Sequence, residues 1–103
     1  MKEYVRYCYI FDGYAMKDRC TFFEDAAGMM TLGIDFVPGY NLDAFTDLLR
    51  GGFGMHAYGE TIRIIWVGLD RSRHLLGEDF TGKVLRILSD EEEEYSIQVE
   101  LHP

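Results

Sequence analysis

The sequence predicts an α/β fold, with a three-stranded parallel sheet and about four helices in the order β-α-α-β-α-α-β. Residues 4–11, 61–67 and 97–101 are rich in aromatic and branched aliphatic side chains, which favours strands. Each gap between them contains two segments with apolar residues at helical spacing. Strands separated by helical crossovers pair in parallel through right-handed connections. We therefore expect residues 1–103 to form a single small domain.

The first strand and the first helix are predicted from composition and capping signals. Residues 4–11 (YVRYCYIF) predict a strand that is mostly buried, and the two cysteines, Cys8 and Cys20, are expected to be buried, reduced thiols. Thr21 and Glu24 have the spacing of a capping box, which predicts a helix beginning at Thr21. Gly33 is a natural stop for that helix.

The second helix carries two acidic side chains on one face. Pro and Gly in residues 34–40 predict a loop, Asn41 is a good N-cap, and Gly51 provides a left-handed stop. Asp43 and Asp47 are four residues apart, and like charges at that spacing repel by about 0.2–0.5 kcal/mol. The helix dipole favours Asp43 in the first turn but does not account for Asp47, one turn later. The pair is either a solvated surface or a functional one.

The second half of the chain repeats the alternation of strand and helices. Residues 61–67 (TIRIIWV) predict a strand too continuously apolar to be half exposed. Asp70 is expected to cap a short helix that ends at Gly77, and residues 80–88 predict an amphipathic helix. Apolar and polar residues alternate over residues 97–101, which predicts a strand with one wetter face.

The charge balance restricts the choice of partner. Ten Lys and Arg residues against eighteen Asp and Glu residues give a net charge of −8, with no basic cluster. Direct binding of nucleic acid is not expected, because a grip on phosphates needs Lys and Arg. An acidic chain of this size is suited to a basic protein partner. No apolar run of about 18 residues or secretory signal is present, so we expect a cytoplasmic protein without a membrane span.

Motifs for catalysis or for cofactor binding are absent from the sequence. The three histidines share no metal-ligand spacing, and residues 51–54 have glycines after a helix but no Lys following them. Ser72 lies in no nucleophile elbow, so no catalytic serine is indicated. Residues 91–94 are four consecutive Glu and are best interpreted as a solvated helix end. We therefore expect no enzyme activity, no metal and no cofactor.

The second helix also carries a longer pattern. Gly39, the run Asn41-Leu42-Asp43-Ala44, and Asp47-x-Leu49-x-Gly51 fit the signature G-x-N-L-D-A-L-x-D-x-L-x-G, with Phe45 at its third aliphatic position. This stretch resembles the barstar family of intracellular ribonuclease inhibitors, and the match is strong over residues 37–52. The family's three parallel strands and four helices come in the same order as the elements predicted above.

The resemblance implies a protein that blocks a basic ribonuclease active site with this helix and the loop before it. In the family, carboxylates stand in for RNA phosphates, and Asp43 and Asp47 match the helical aspartates that make the charged contacts. Asn41 and Gly51 match motif positions at either end of that surface. An acidic residue of the last helix also contributes in the family, and Asp90 falls at its place.

Several aromatic positions of the family pattern are changed in this chain. The loop tyrosine of the family corresponds to Val37, with Tyr40 near but not aligned, and Thr46 replaces the aromatic residue between the two aspartates. Gly52 stands where the family has a further aromatic residue. Such aromatic side chains usually carry interface specificity, so the charge pattern carries over while the identity of the target does not.

The sequence therefore leads to one main hypothesis and two alternatives. The main hypothesis is an inhibitor or immunity protein that silences a cognate toxic ribonuclease. The alternatives are a barstar-like interaction module with a non-nuclease partner, and a small hydrolase that uses the two aspartates with a divalent metal. The expected partner-binding residues are Asn41, Asp43, Thr46, Asp47, Gly51, Val37, Tyr40 and Asp90.

Overall fold

A computed structural model describes residues 5–31, 39–89 and 96–103 of the chain. The elements are β1 (Cys8–Asp12), α1 (Arg19–Met30), α2 (Leu42–Arg50), β2 (Ile62–Val67), α3 (Leu69–Leu76), α4 (Glu78–Leu88) and β3 (Ile97–Leu101). This order confirms the predicted α/β class and the β-α-α-β-α-α-β sequence of elements. No helix among these residues is long and apolar enough to cross a bilayer.

The sheet has the order β1-β2-β3, and both pairs of strands are parallel. The register places Tyr9 beside Ile64 and Phe11 beside Trp66. Because side chains alternate along a strand, these four side chains lie on one face of the sheet. Each of them is at most 5% exposed, so this face forms the floor of the core.

Aromatic side chains of three helices cover that face. The Phe22 ring of α1 lies 5.8 Å from Phe11 and 5.8 Å from Trp66, measured between ring centroids. Phe45 of α2 and Phe80 of α4 lie 5.1 Å and 5.6 Å from the same Phe22 ring. Phe22 therefore joins α1, α2 and α4 to the sheet, and this contact fixes where α2 sits.

The opposite face of the sheet is not buried, which corrects two predictions. In β1 the side chains of Cys8 and Ile10 are exposed, and in β2 Arg63 is exposed while Ile65 is only half-buried. The expectations of a mostly buried first strand and of a second strand too apolar to be half exposed were therefore wrong. Their apolar residues reflect strand propensity as well as burial. Cys8 and Cys20 are free, but both are exposed rather than buried.

The start of α1 also differs from the prediction. The helix begins at Arg19, because Asp18 is the N-cap and its carboxylate accepts hydrogen bonds from the Thr21 backbone N–H and hydroxyl, both at 2.8 Å. Thr21 is therefore inside the first turn, and the capping-box prediction was wrong. The helix ends at Met30, and Gly33, its predicted stop, lies outside the described residues.

The second half of the chain follows the prediction with small shifts. α3 begins at Leu69 after Gly68 in a left-handed conformation, so Asp70 lies in the first turn and is not the cap. Gly77 ends α3 as predicted, and α4 begins directly after it at Glu78, two residues before the predicted start of that helix. β3 has the predicted bounds of residues 97–101. It is an edge strand.

Candidate protein-binding site

The N-terminal end of α2 is formed as the sequence predicts. Asn41 is the N-cap, and its side-chain oxygen accepts a hydrogen bond of 2.8 Å from the Ala44 backbone N–H. This bond satisfies one of the amide groups that a helix start leaves without a partner. Phe45, Leu48 and Leu49 are buried, so the opposite side of α2 is turned to solvent.

The C-terminal end of α2 requires glycine. Gly51 ends the helix with φ +91° and ψ −171°, an extended conformation that is essentially restricted to glycine and is not the left-handed helical one predicted. A Cβ atom at Gly51 would lie 2.4 Å from the Ala57 carbonyl oxygen. Gly51 is also buried, so any effect of this residue on binding would act through the shape of the helix end.

A buried histidine fixes the last turn of α2. His56 is 1% exposed, with Nε2 at 2.9 Å from the Leu49 carbonyl oxygen and Nδ1 at 2.7 Å from the Tyr9 hydroxyl. The carbonyl oxygen can only accept, so in the neutral ring Nε2 carries the proton and Nδ1 accepts from the Tyr9 hydroxyl. The Arg50 carbonyl oxygen accepts from the Gly59 N–H at 2.7 Å, which completes the helix end. Sequence reasoning missed this histidine, since its only signal is a position five residues after the helix stop.

The hydroxyl of Tyr9 is held in its protonated form. Burial disfavours the phenolate and raises the pKa of Tyr9 to about 12, although a hydrogen bond from the His56 backbone, distinct from the bond to its ring, opposes part of that rise. The neutral hydroxyl is therefore available as a donor to His56 at ordinary pH.

The two aspartates of α2 are exposed, as the sequence predicts. The Asp47 side chain is 60% exposed, and its Oδ1 accepts a hydrogen bond of 2.9 Å from Nη1 of Arg50. Asp43 lies in the first turn, where the helix dipole favours a negative charge. Asp47 is thus stabilised by Arg50, and Asp43 by the helix dipole. The acidic face, defined by Asp43 and Asp47, needs no bound partner to exist.

Two other predicted partner-binding residues near this face, Thr46 and Tyr40, make hydrogen bonds within the chain. Thr46 is half-buried, and its hydroxyl donates to the Leu42 carbonyl oxygen at 2.9 Å. Tyr40 is 51% exposed, and its hydroxyl donates to Glu24 Oε1 at 3.2 Å. The Glu24 carboxylate is the main reason that the pKa of Tyr40 is raised. Val37 and Asp90, the remaining candidates, lie outside the described residues, as does the run Glu91–Glu94.

A groove that no sequence pattern indicates adjoins the N-terminal end of α2. The groove has a volume of about 430 Å³ and lies between α1, the start of α2 and α4. Its aromatic wall consists of Phe23, Tyr40 and Phe80, with the Phe23 ring at 5.7 Å from Phe80 and 6.3 Å from Tyr40. Among the described residues, the charged ones in its lining are Arg19, Asp79 and Lys83.

The fold and the acidic face define the class of protein: a small α/β domain with paired helical crossovers that presents a short acidic helix between its first two strands. A family model described as Barstar (barnase inhibitor) matches residues 7–102. The chain belongs to the barstar family, whose members are inhibitors that bind ribonucleases such as barnase and are not enzymes. A search of curated proteins found no match.

Proposed function

We propose that this protein is an inhibitor or immunity protein that blocks the active site of a cognate toxic ribonuclease in the cytoplasm. The observation that carries this proposal is the exposed acidic face of α2, with Asp43 and Asp47 one turn apart in a member of the barstar family. The net charge of −8 favours a basic partner. Residues 1–103 are proposed to act as one domain.

The proposed mechanism is replacement of RNA phosphates by carboxylates. A ribonuclease site that binds phosphates carries Lys or Arg side chains, and two carboxylates one helical turn apart can pair with them. Opposed potentials raise the rate of encounter, and losing one member of a buried, hydrogen-bonded charge pair costs about 2–5 kcal/mol. Those magnitudes were measured partly on the complex of barnase with its own inhibitor, so they belong to a relative of this chain and serve here as the expected scale.

Asp47 has a particular role in this mechanism because of Arg50. In the free protein Arg50 donates to Asp47, so a cation of the enzyme has to share or replace that donor. The exchange costs little, since exposed ion pairs contribute about 0–1 kcal/mol. The ion pair therefore keeps the Asp47 carboxylate oriented without preventing it from pairing with a cation of the enzyme.

The other proposed contact residues surround the acidic face. Asn41 and Gly51 set the two ends of α2, and Thr46 lies between the two aspartates. Tyr40, Val37 and Asp90 are proposed as peripheral contacts.

The proposal is tested with a panel of basic ribonucleases that includes barnase. Inhibition of RNA cleavage and association rates are measured for the wild-type chain, for Asp47→Asn, and for Asp70→Asn, an exposed first-turn aspartate of α3. For an enzyme that is inhibited, Asp47→Asn should weaken binding by about 30-fold or more, mainly through faster dissociation, and it should also slow association at low salt more than at high salt. Asp70→Asn should change binding less than about twofold. Equal and small effects of the two variants would reject this assignment of the acidic face.

A second candidate function is an interaction module whose partner is not a nuclease. Thr46 favours it, because this position carries no aromatic anchor and its hydroxyl is already bonded to the helix backbone. This candidate is preferred if no ribonuclease of the panel is inhibited and RNA in a cell lysate is not protected.

A further inference from the structure

The groove beside α2 differs in charge from the rest of the molecule. Arg19 and Lys83 contribute two positive charges to its lining, and Asp79 contributes one negative charge. Asp79 precedes Lys83 by four residues on α4 and offsets part of its charge. Among the described residues the lining is therefore positive by one charge, with the Glu24 carboxylate against its Tyr40 hydroxyl, on a chain whose net charge is −8.

The position of Arg19 is fixed by two contacts. Its guanidinium lies 4.8 Å from the centre of the Phe80 ring, and its Nε donates to the Leu76 carbonyl oxygen at 3.1 Å. The Arg19 side chain is therefore held along the wall of the groove, although it stays exposed to solvent. A guanidinium held in this way is oriented in advance for a carboxylate, so less side-chain entropy is lost on binding.

The groove is also continuous with the acidic face. Asn41 and Leu42 line the groove, and Asp43 follows them directly on α2. The exposed Tyr40 provides an aromatic surface at the same end of the helix. Negative and positive surfaces thus lie side by side, and a partner bound to one reaches the other.

We propose that this groove is a second docking surface for the ribonuclease, and that it receives an apolar side chain of the enzyme that lies next to a carboxylate. This inference rests on the proposed function, and it adds an explanation of how the inhibitor would select its ribonuclease. Carboxylates alone attract many basic proteins, whereas two adjacent sites of opposite charge fix the orientation of the partner and disfavour others. Tyr40 and the groove would then supply the apolar contact that Thr46 does not.

The chemistry of the groove is tested first with a small probe, 3-phenylpropionate, titrated into the ¹⁵N-labelled full chain. Amide shifts should saturate and should centre on the groove, and 3-phenylpropylamine, with the opposite charge, should bind more weakly. Lys83→Gln should weaken binding of the acid by about two- to fivefold, while Arg86→Gln, an exposed cation of α4 outside the groove lining, should not. Absence of saturable shifts in the groove, or equal binding of the amine, would overturn the proposal.

The role of the groove in docking is tested with any ribonuclease that the chain inhibits. Lys83→Glu should weaken that complex by at least about fivefold, with Arg86→Glu as its control. In a Cys8→Ser background, the bound enzyme should also slow alkylation of Cys20, an exposed thiol in the groove lining.

The outcomes separate the two proposals. The groove proposal alone is overturned if Asp47→Asn weakens inhibition, Lys83→Glu does not, and the bound enzyme leaves the alkylation rate of Cys20 unchanged. This holds even if 3-phenylpropionate binds in the groove. If no ribonuclease is inhibited, both proposals fail. Loss of affinity on Lys83→Glu together with protection of Cys20 supports docking in the groove.

Discussion

Tyr9 offers a test of how the C-terminal end of α2 is anchored, because burial raises the pKa of the Tyr9 hydroxyl. The ordinary pKa of a tyrosine, 10.0, is raised to about 12 in the folded chain. Above pH 10 the unfolded chain releases this proton before the folded chain does, so Tyr9 contributes stability that is complete below pH 10 and is lost as the pH rises towards 12. The loss is about 1–2 kcal/mol at pH 11, and approaches about 2–3 kcal/mol at still higher pH.

The assay is urea unfolding at pH 8 and pH 11, followed by the fluorescence of Trp66, the single tryptophan of the chain, which is fully buried. Titration of other groups affects the wild-type chain and Tyr9→Phe alike, so the difference between them isolates Tyr9. At pH 8 the variant should already be less stable by about 1–3 kcal/mol, because Nδ1 of His56 loses its donor. Tyr14→Phe, at a 66% exposed position, serves as the control.

A single result would refute this reasoning. If the wild-type chain and Tyr9→Phe lose the same stability between pH 8 and pH 11, the Tyr9 hydroxyl is not held protonated by burial. The assignment of Nδ1 of His56 as an acceptor would then lose its support as well.

Two further predictions concern the ends of α2. Asn41→Ala should lower the free energy of unfolding by about 0.5–2 kcal/mol, since the Ala44 N–H loses its acceptor; Asn41→Asp should restore most of it in the same urea unfolding assay. Gly51→Ala should cost about 3 kcal/mol or more, because it combines a conformation that only glycine tolerates with a Cβ atom 2.4 Å from the Ala57 carbonyl oxygen. Gly28→Ala is the matched control for that change: nothing lies within 4 Å of its added Cβ, and the substitution inside α1 should stabilise by about 0.5–1 kcal/mol. Thermal unfolding that ranks Gly51→Ala with Gly28→Ala would contradict the account of the helix end.

The order of elements and both ends of α2 could be predicted, because they depend on local signals. Helical and strand periodicities differ, Asn41 is a strong cap, and glycine at position 51 is a strong stop. The start of α1 was predicted wrongly because the local signals there are ambiguous. Asp18 and Thr21 are both good caps three residues apart, and the sequence does not say which one the chain uses.

Features that depend on tertiary contact could not be predicted. The hydrogen bonds of His56 join it to Tyr9, which is 47 positions away along the chain, so no local pattern indicates them. The groove requires α1 and α4 to meet beside α2, and neither the positions of these helices nor the exposure of Tyr40 follows from periodicity. The pair of Asp47 and Arg50 is different, since its spacing of three residues is a local signal that is visible in the sequence.

The uncovered face of the sheet has a consequence for how this protein can change over generations. Ile10, Arg63 and Glu100 project from that face, whereas α2 packs against the other one. Substitutions there alter solubility and the tendency to self-associate without displacing Phe11 or Phe45, which seat the helix. Such a chain can diverge on one side of its strands while the position of α2 is inherited unchanged, so close relatives should vary most in the residues that face away from α2.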